Sequence, residues 1–467
     1  MPSMNILLDN LLDTPLVAQI TSAIRQAQAD GVLKAGERMW SIRGFAAHYG
    51  VSTFTVAEAY DRLVAEGVLF ARRGDGFFLS ERPHQKSVSI TLPIPHAANA
   101  FWLADSLYEP PLDCAKPGSG WMHYDWYDQD GIRTALRLIA NKQHTLSPYG
   151  DSKGLPGLRE WLARAMTEES LEVSAPQILL TQGASQAITL AILALTKPGD
   201  TVLVDDPGYF GLHSALSIHG RHAIGVPWTP SGPDIALLEG ILQRHTCKAF
   251  FTNPWLQNPT GASYSPAVAH KVLRLVEQND MWLVENDVSQ GLSSRPRVTL
   301  ATLDELRRVV YVGSFSKTLA PSLRVGFVVA NHAVIDALTH HKMMLGLTSS
   351  EITERVALQL LTEGKYRHRL ASLRERLVQK KEAGLALLDR FGLKVFTNQS
   401  GGPFLWVSIP PDVGCPIKLT EEAIAKKVML APGALFRVNQ PPTPWMRFNV
   451  AYLDDPRVAS LLESWSR

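Results

Sequence analysis

Cysteine is nearly absent from this chain. Cys114, Cys247 and Cys415 are the only three in 467 residues, scattered, odd in number and without metal-ligand spacing. That rules out a disulfide scaffold, offers no metal site, and fits a reducing cytoplasm. Charge of one sign is also lacking: 46 Lys and Arg face 44 Asp and Glu, for a net +2. No global attraction to nucleic acid or to a membrane surface follows from such a balance. Long apolar runs are missing, and the longest, such as residues 187–195, are far too short to cross a bilayer. The N-terminus shows no basic-then-apolar pattern, so neither a leader nor a membrane anchor is expected. Repeats and low-complexity tracts are absent as well. What remains is ordinary globular composition, 45% hydrophobic and 19% charged, with length for two or three domains, each with its own core. The expectation is a soluble cytoplasmic protein.

The first eighty residues carry three short helical patterns. Leu16, Ile20 and Ile24, with Ala23 and Ala27, recur at helical spacing, and Gly31 closes that stretch. Ser41 is placed to cap a second helix with Ile42, Phe45, Ala46 and Tyr49 inward, and Gly50 makes the turn. Ser52 then caps a third, whose apolar side is Val56, Ala59, Tyr60 and Leu63, ending at Gly67. Two apolar segments, 68–70 and 77–79, flank a turn containing Asp75-Gly76, a strong hairpin signal. Three helices and a hairpin make a winged helix-turn-helix, whose third helix is presented to the major groove of double-stranded DNA.

The run GVLKAGERMWSIRGFAAHYGVSTFTVAEAYDRLVAEGVLFARRGDGFFL resembles the DNA-binding domain of GntR-type regulators along its whole length. By that resemblance Arg43 contacts phosphate or a base edge. Ser52, Thr53 and Thr55 open the recognition helix, and Arg72 and Arg73 lie at the wing. Trp40 stands where the family usually has proline, and Thr53 where an arginine is frequent. Losing that arginine removes a bidentate guanine contact worth about 1–3 kcal/mol of discrimination. Residues 1–82 hold eight Lys/Arg against nine Asp/Glu, so phosphate binding rests on a few placed arginines and calls for two copies on one operator.

Residues 81–112 change character. Pro83, Pro93, Pro95, Pro110 and Pro111 break any long element, which reads as a linker with room for one short helix over 98–108.

From residue 113 to the end, helical stretches alternate with short apolar strands, which predicts a mainly parallel sheet covered by helices. The focus is Lys317. It follows the apolar run 309–312 and two serines, a strand entering a loop. Burial there lowers a lysine toward the neutral amine that attacks carbonyls. Arg324, seven residues on, offers a planar fork to a phosphate, and Ser314 and Ser316 add hydroxyls. An amine, hydroxyls and a phosphate-binding arginine suggest a Schiff base with a phosphorylated aldehyde, pyridoxal 5'-phosphate. Upstream, the strand 178–181 leads to Gly183-Ala184-Ser185, a helix start able to face an anion. Tyr209 follows the strand 201–204, Asn258 lies in NPWLQNPTG after 250–252, and Glu285-Asn286-Asp287 follow the strand 282–284. Polar residues thus gather after successive strands, where parallel sheets place ligands.

That ordered set resembles the fold-type I aminotransferases over nearly all of residues 113–467, with a large part about 149–335 and a smaller C-terminal α+β part about 340–467. The resemblance implies that Lys317 forms the internal aldimine and that Gly183, Ala184, Ser185, Ser314 and Arg324 hold the phosphate, with Ser316 a further cofactor-binding hydroxyl beside them. Tyr209 stacks on the pyridine ring and Asn258 bonds its phenolic oxygen. Tyr149, in SPYGDSKGLPGLREW, is lent to the neighbouring subunit's site, implying a homodimer. Arg447, in PWMRFNVAY, grips a ligand carboxylate. A GntR-type head on such a body is the architecture of the MocR subfamily, whose usual reading is a ligand-responsive transcription factor.

One position departs. The family segment reads Glu-Asp-Asp, and its first aspartate pairs with the pyridine nitrogen N1; the aligned residue here is Asn286, and Ser289 or Val288 replaces a tyrosine. A carboxylate keeps N1 protonated and the ring an electron sink, which an amide cannot do. A register slip would instead turn Asp287 to N1, since strand side chains alternate. The expected function is a regulator that senses an amino acid by aldimine exchange at Lys317. The alternatives are a working aminotransferase with a DNA-binding head, or a regulator sensing the cofactor itself.

Overall fold

The computed structural model describes residues 8, 14–72, 74–80, 113–141, 148–293, 297–399 and 401–465. Arg73 and the linker with its expected helix over 98–108 lie outside the described residues. The chain divides into two compact units, residues 1–94 and 95–467.

In the first unit, helices α1 (Leu16–Ala29), α2 (Ile42–Tyr49) and α3 (Thr53–Ala65) precede a hairpin of β1 (Leu69–Arg72) and β2 (Gly76–Leu79). Ser41 Oγ accepts from Gly44 N at 3.0 Å, and Ser52 Oγ accepts from Thr55 N at 3.0 Å, so both expected caps form. Gly50 ends α2 at φ +66°, a conformation that favours glycine. Ile20, Ile24, Phe45, Val56, Tyr60 and Leu63, all fully buried, make the core. Trp40 keeps the place of the usual proline, and its carbonyl accepts from Tyr60 Oη at 3.1 Å. The turn sits one residue earlier than the sequence suggests: Asp75 N bonds Arg72 O at 3.0 Å, and Gly76 already belongs to β2.

The second unit is built on an eight-stranded sheet in the order β3-β10-β9-β8-β7-β4-β5-β6. These are Ile178–Thr181, Gly326–Val329, Val309–Ser314, Trp282–Asp287, Ala249–Thr252, Thr201–Asp206, His222–Thr229 and Gly232–Pro233. Strands β5, β4, β7, β8 and β9 pair in parallel, whereas β10 runs against both its neighbours and β6 against β5. All residues of β3, β7, β9 and β10 are buried, as expected where helices cover both faces. A second, antiparallel sheet has the order β11 (Lys394–Val395), β12 (Phe404–Ser408), β14 (Trp445–Asn449) and β13 (Ala431–Pro432). Its core includes Leu377, Leu405, Phe448 and Leu462, and the early residues Ala115, Met122 and Tyr127 pack into it. The architecture is thus an N-terminal winged helix-turn-helix followed by a fold-type I aminotransferase body with a smaller α+β part. Among the described residues no helix is long and apolar enough to cross a membrane.

Candidate cofactor site and nucleic-acid interface

The loops after β3, β4, β7 and β9, the end of β8, and Arg447 of β14 converge on one cavity of about 590 Å³. Its lining includes Ala184, Ser185, Tyr209, Asn258, Asn286, Ser314, Ser316, Lys317, Arg324 and Arg447. Lys317 is buried, with Nζ 5.1 Å from the centre of the Phe404 ring. Burial, with the cation of Arg447 nearby, brings its ammonium down to about 7. Near neutrality a large share of this amine is unprotonated and nucleophilic.

At one end of the cavity, the thirteen-residue helix Gly183–Leu195 points its N-terminus inward. Gly183 has φ +80°, and a Cβ there would stand 2.5 Å from Arg324 Nη2. Only glycine lets the guanidinium lie against this helix start. Arg324 is itself left-handed at φ 51° and donates from Nη2 to Gln182 O at 3.0 Å. Ser314 Oγ donates to Ser316 Oγ at 3.0 Å and accepts from Ser316 N at 3.2 Å. Free helix N–H groups, a guanidinium and two hydroxyls form a cradle suited to a phosphate.

At the other end, Arg447 is 2% exposed and lies between the rings of Phe404 and Phe436, 4.7 Å from each centre. It donates from Nη1 to Asn258 Oδ1 at 2.8 Å and from Nη2 to Gly118 O at 2.6 Å. Asn258 N donates to Asn253 Oδ1 at 2.8 Å, and Asn253 Nδ2 donates to Asn286 O at 2.8 Å. A relay of amides therefore joins Arg447 to β8.

Strand β8 extends through Asp287, so residues 285–287 belong to the strand and do not follow it. Their side chains alternate. Asn286 faces the cavity, and its Oδ1 is buried without a hydrogen-bond partner among the described residues. Asp287 is fully buried on the other face, where it accepts from Tyr311 Oη at 2.8 Å and pairs with Arg297. Glu285 shares that face and accepts from Leu300 N at 3.2 Å and Ala301 N at 2.8 Å; burial pushes its carboxyl up to about 7. The register that would turn Asp287 inward is therefore not the one adopted. Val288 lines the cavity, whereas Ser289 is buried elsewhere, its Oγ 3.5 Å from Leu256 O.

The cradle and the buried amine fit pyridoxal phosphate, and the end of β8 presents the amide of Asn286 to the same cavity. Tyr149 stands apart on the surface, 80% exposed, and does not line this cavity. Sequence reasoning missed Trp121, Phe404 and Phe436, whose places depend on the second sheet and on residues before the first, and Phe210, which directly follows Tyr209. No spacing in the sequence marks them.

In the first unit Arg43 and Thr53 are exposed at the starts of α2 and α3. The hydroxyls of Ser52 and Thr55 lie 2.8 Å apart within the cap of α3. Arg72 lies over the rings of Phe70 and Phe78, 5.4 and 4.8 Å from their centres, which steadies its guanidinium at the wing. Phe54, unmarked in the sequence, is 77% exposed beside Thr53.

The family model for aminotransferase class I and II matches residues 118–464, and that for bacterial regulatory proteins of the gntR family matches residues 16–79. YcxD of Bacillus subtilis (strain 168), an uncharacterised HTH-type transcriptional regulator, is 30% identical over 373 residues, 78% of this chain and 79% of its own. A 2-aminoadipate transaminase of Thermus thermophilus is 30% identical over 339 residues, 71% of this chain and 83% of its own. The crystal structure of LysN, an alpha-aminoadipate aminotransferase from Thermus thermophilus complexed with N-(5'-phosphopyridoxyl)-L-leucine, aligns with TM-score 0.71 at 26% identity. It covers 78% of this chain and 93% of LysN. The chain belongs to the aminotransferase class I and II family and carries a GntR-type DNA-binding region: a regulator–aminotransferase hybrid of the MocR kind, with pyridoxal 5'-phosphate as its cofactor.

Proposed function

We propose that this DNA-binding regulator senses an amino acid, or a related amine-carboxylate, by amine exchange at Lys317, and that it turns its ligand over slowly. The observation that carries this reading is β8, which turns Asn286 to the cavity and Asp287 away from it. Bound there, the cofactor supplies a carbonyl for amines and a ring that withdraws electrons when its nitrogen is protonated. Lys317 holds the carbonyl end and, being close to neutral, both forms and yields its bond readily. Gly183, Ala184, Ser185, Ser314, Ser316 and Arg324 bind the phosphate, Tyr209 covers the ring face, and Asn258 donates to the phenolic oxygen. Asn286 donates to a neutral ring nitrogen and cannot hold a proton on it by charge. Removal of the ligand's α-proton then lacks its main support, whereas exchange of one amine for another does not.

Arg447 receives the ligand carboxylate. Among the described residues, the cavity lining has Lys317, Arg324 and Arg447 and no Asp or Glu, which disfavours ligands with a cationic side chain. The reading includes a cytoplasmic homodimer, with the exposed Tyr149 completing the partner's cavity. Residues 1–80 serve as the DNA-binding domain, 81–112 as linker and 113–467 as the sensing body. Arg43, Ser52, Thr53, Thr55, Arg72 and Arg73 face the operator.

The second reading, a working aminotransferase with a DNA-binding head, draws on the likeness to the 2-aminoadipate transaminase. The third, sensing of the cofactor itself, predicts a change in operator affinity on cofactor addition with no amino acid present. The test is an absorption titration of the pyridoxal-phosphate-loaded protein with a panel of amino acids, with free pyridoxal phosphate and the same amino acids as the blank. A new, persistent imine band without keto acid supports the sensor. Conversion to the pyridoxamine form with keto acid would make the protein an enzyme and overturn the account of Asn286.

A further inference from the structure

Of the exposed large apolar side chains among the described residues of the first unit, Phe54 is by far the most exposed, 77% against 49% for Val32. A single surface apolar residue needs no explanation by itself. Its position does. Phe54 is the second residue of α3, directly after Thr53, at the end of the helix that a helix-turn-helix domain inserts into the major groove. Both side chains at this tip are uncharged. The turns that follow carry Glu58 and the exposed Asp61; among the described residues Glu58 is paired, with Arg62 at 2.7 Å, and Asp61 is not. The unpaired carboxylate of Asp61 repels the phosphates beside it, which favours entry by the first turn of the helix over a pose along the groove. At that turn no side chain can make a bidentate bond to guanine, because Thr53 occupies the arginine position. The base-edge feature an aromatic ring recognises is apolar: the C5-methyl group of thymine.

We propose that Phe54, seconded by the methyl of Thr53, reads a thymine methyl in each operator half-site, so that specificity here is apolar where related domains use an arginine. This rests on the reading that α3 is the groove-facing helix. The step from uracil to thymine adds one buried methyl, which is worth about fourfold in affinity per site.

The test uses the full, cofactor-loaded chain. Bound sequences are selected from a randomised duplex pool, and each thymine of a selected duplex is then replaced singly by deoxyuridine. The expected result is that one such replacement per half-site weakens binding about fourfold. Phe54→Ala should bind the thymine and uracil duplexes equally, and Phe54→Leu should keep part of the preference. Because Phe54 is exposed, both variants fold, which circular dichroism checks. Selected sites without a thymine preference would overturn the proposal, as would a uracil penalty that persists in Phe54→Ala. The same holds if Phe54→Ala alters self-association and leaves DNA binding unchanged, since the ring would then face protein. A pool that never enriches would instead defeat the groove-facing reading itself, a distinguishable result.

Discussion

Asn286 and Asp287 are neighbours on one strand, yet the two faces of β8 give them opposite situations. Asn286 faces a cavity built for a charged cofactor, and its amide oxygen finds no partner among the described residues. Asp287 carries the charge that the cavity lacks, but spends it on Arg297 and Tyr311 behind the sheet. A carboxylate one residue away contributes nothing to the ring, because the strand's alternation sends it to the far side. Proximity in sequence is not proximity in chemistry. The cavity face therefore sets function and the far face sets stability.

The largest expected effect is on the cavity face. Lys317→Ala should abolish the lysine imine band of the cofactor-loaded protein, while the phosphate cradle still retains cofactor through dialysis. Loss of cofactor along with the band would show that the cradle is too weak to act alone.

On the far face, Arg297→Met leaves Asp287 buried without its cation. Breaking such a pair costs about 3–5 kcal/mol, read as a lower midpoint in urea unfolding. Where the variant folds, its cofactor spectrum should match the parent's. A changed spectrum with unchanged stability would break the division between the faces.

Asn286→Asp brings a carboxylate to the ring and should raise keto acid production by on the order of tenfold or more, since an adjacent opposite charge moves a pKa by about 1–3 units. Unchanged production would sink the account of weak turnover. Asp287→Asn should leave turnover as it was.

The smallest effect concerns pH. The amine of Lys317 has a folded value near 7, below the usual lysine range, so its reactive neutral form is lost as pH falls through 7. Uptake of pyridoxal phosphate by the cofactor-free protein should slow by about fivefold from pH 7 to pH 6 and rise only about twofold above pH 7. A rate that instead climbs steadily toward pH 10 would mean that burial does not lower this lysine. The unfolded chain binds this proton more readily between about 7 and 10.5, so the cofactor-free protein should gain stability with rising pH across that window.

Much of this was legible in the sequence, and for definite reasons. Ser41 and Ser52 announce their helices because a capping hydroxyl must sit at one fixed position. Lys317 and Arg324 could be linked because a strand, a loop and a phosphate-binding fork follow one another within a short span. The ambiguity between Asn286 and Asp287 was not soluble locally. The partner that claims Asp287 is Arg297, ten residues on and beyond a turn. The surroundings of Arg447 come from Gly118, Asn258, Phe404 and Phe436, four separate stretches of chain with no common period. Phe54 was invisible for a different reason. Phe54 falls outside the apolar stripe of Val56, Ala59, Tyr60 and Leu63, and periodicity says only that such a position is off the core, not what it does.

The hydrogen bond from Arg447 to Asn258 has a further consequence. It runs from β14 of the second sheet to the loop after β7 of the first, so the group offered to a ligand's carboxylate is also a fastener between the two sheets. Ligand and seam share a guanidinium. By reciprocity, whatever loosens that seam changes the hold on the ligand by the same free energy with which the ligand changes the seam.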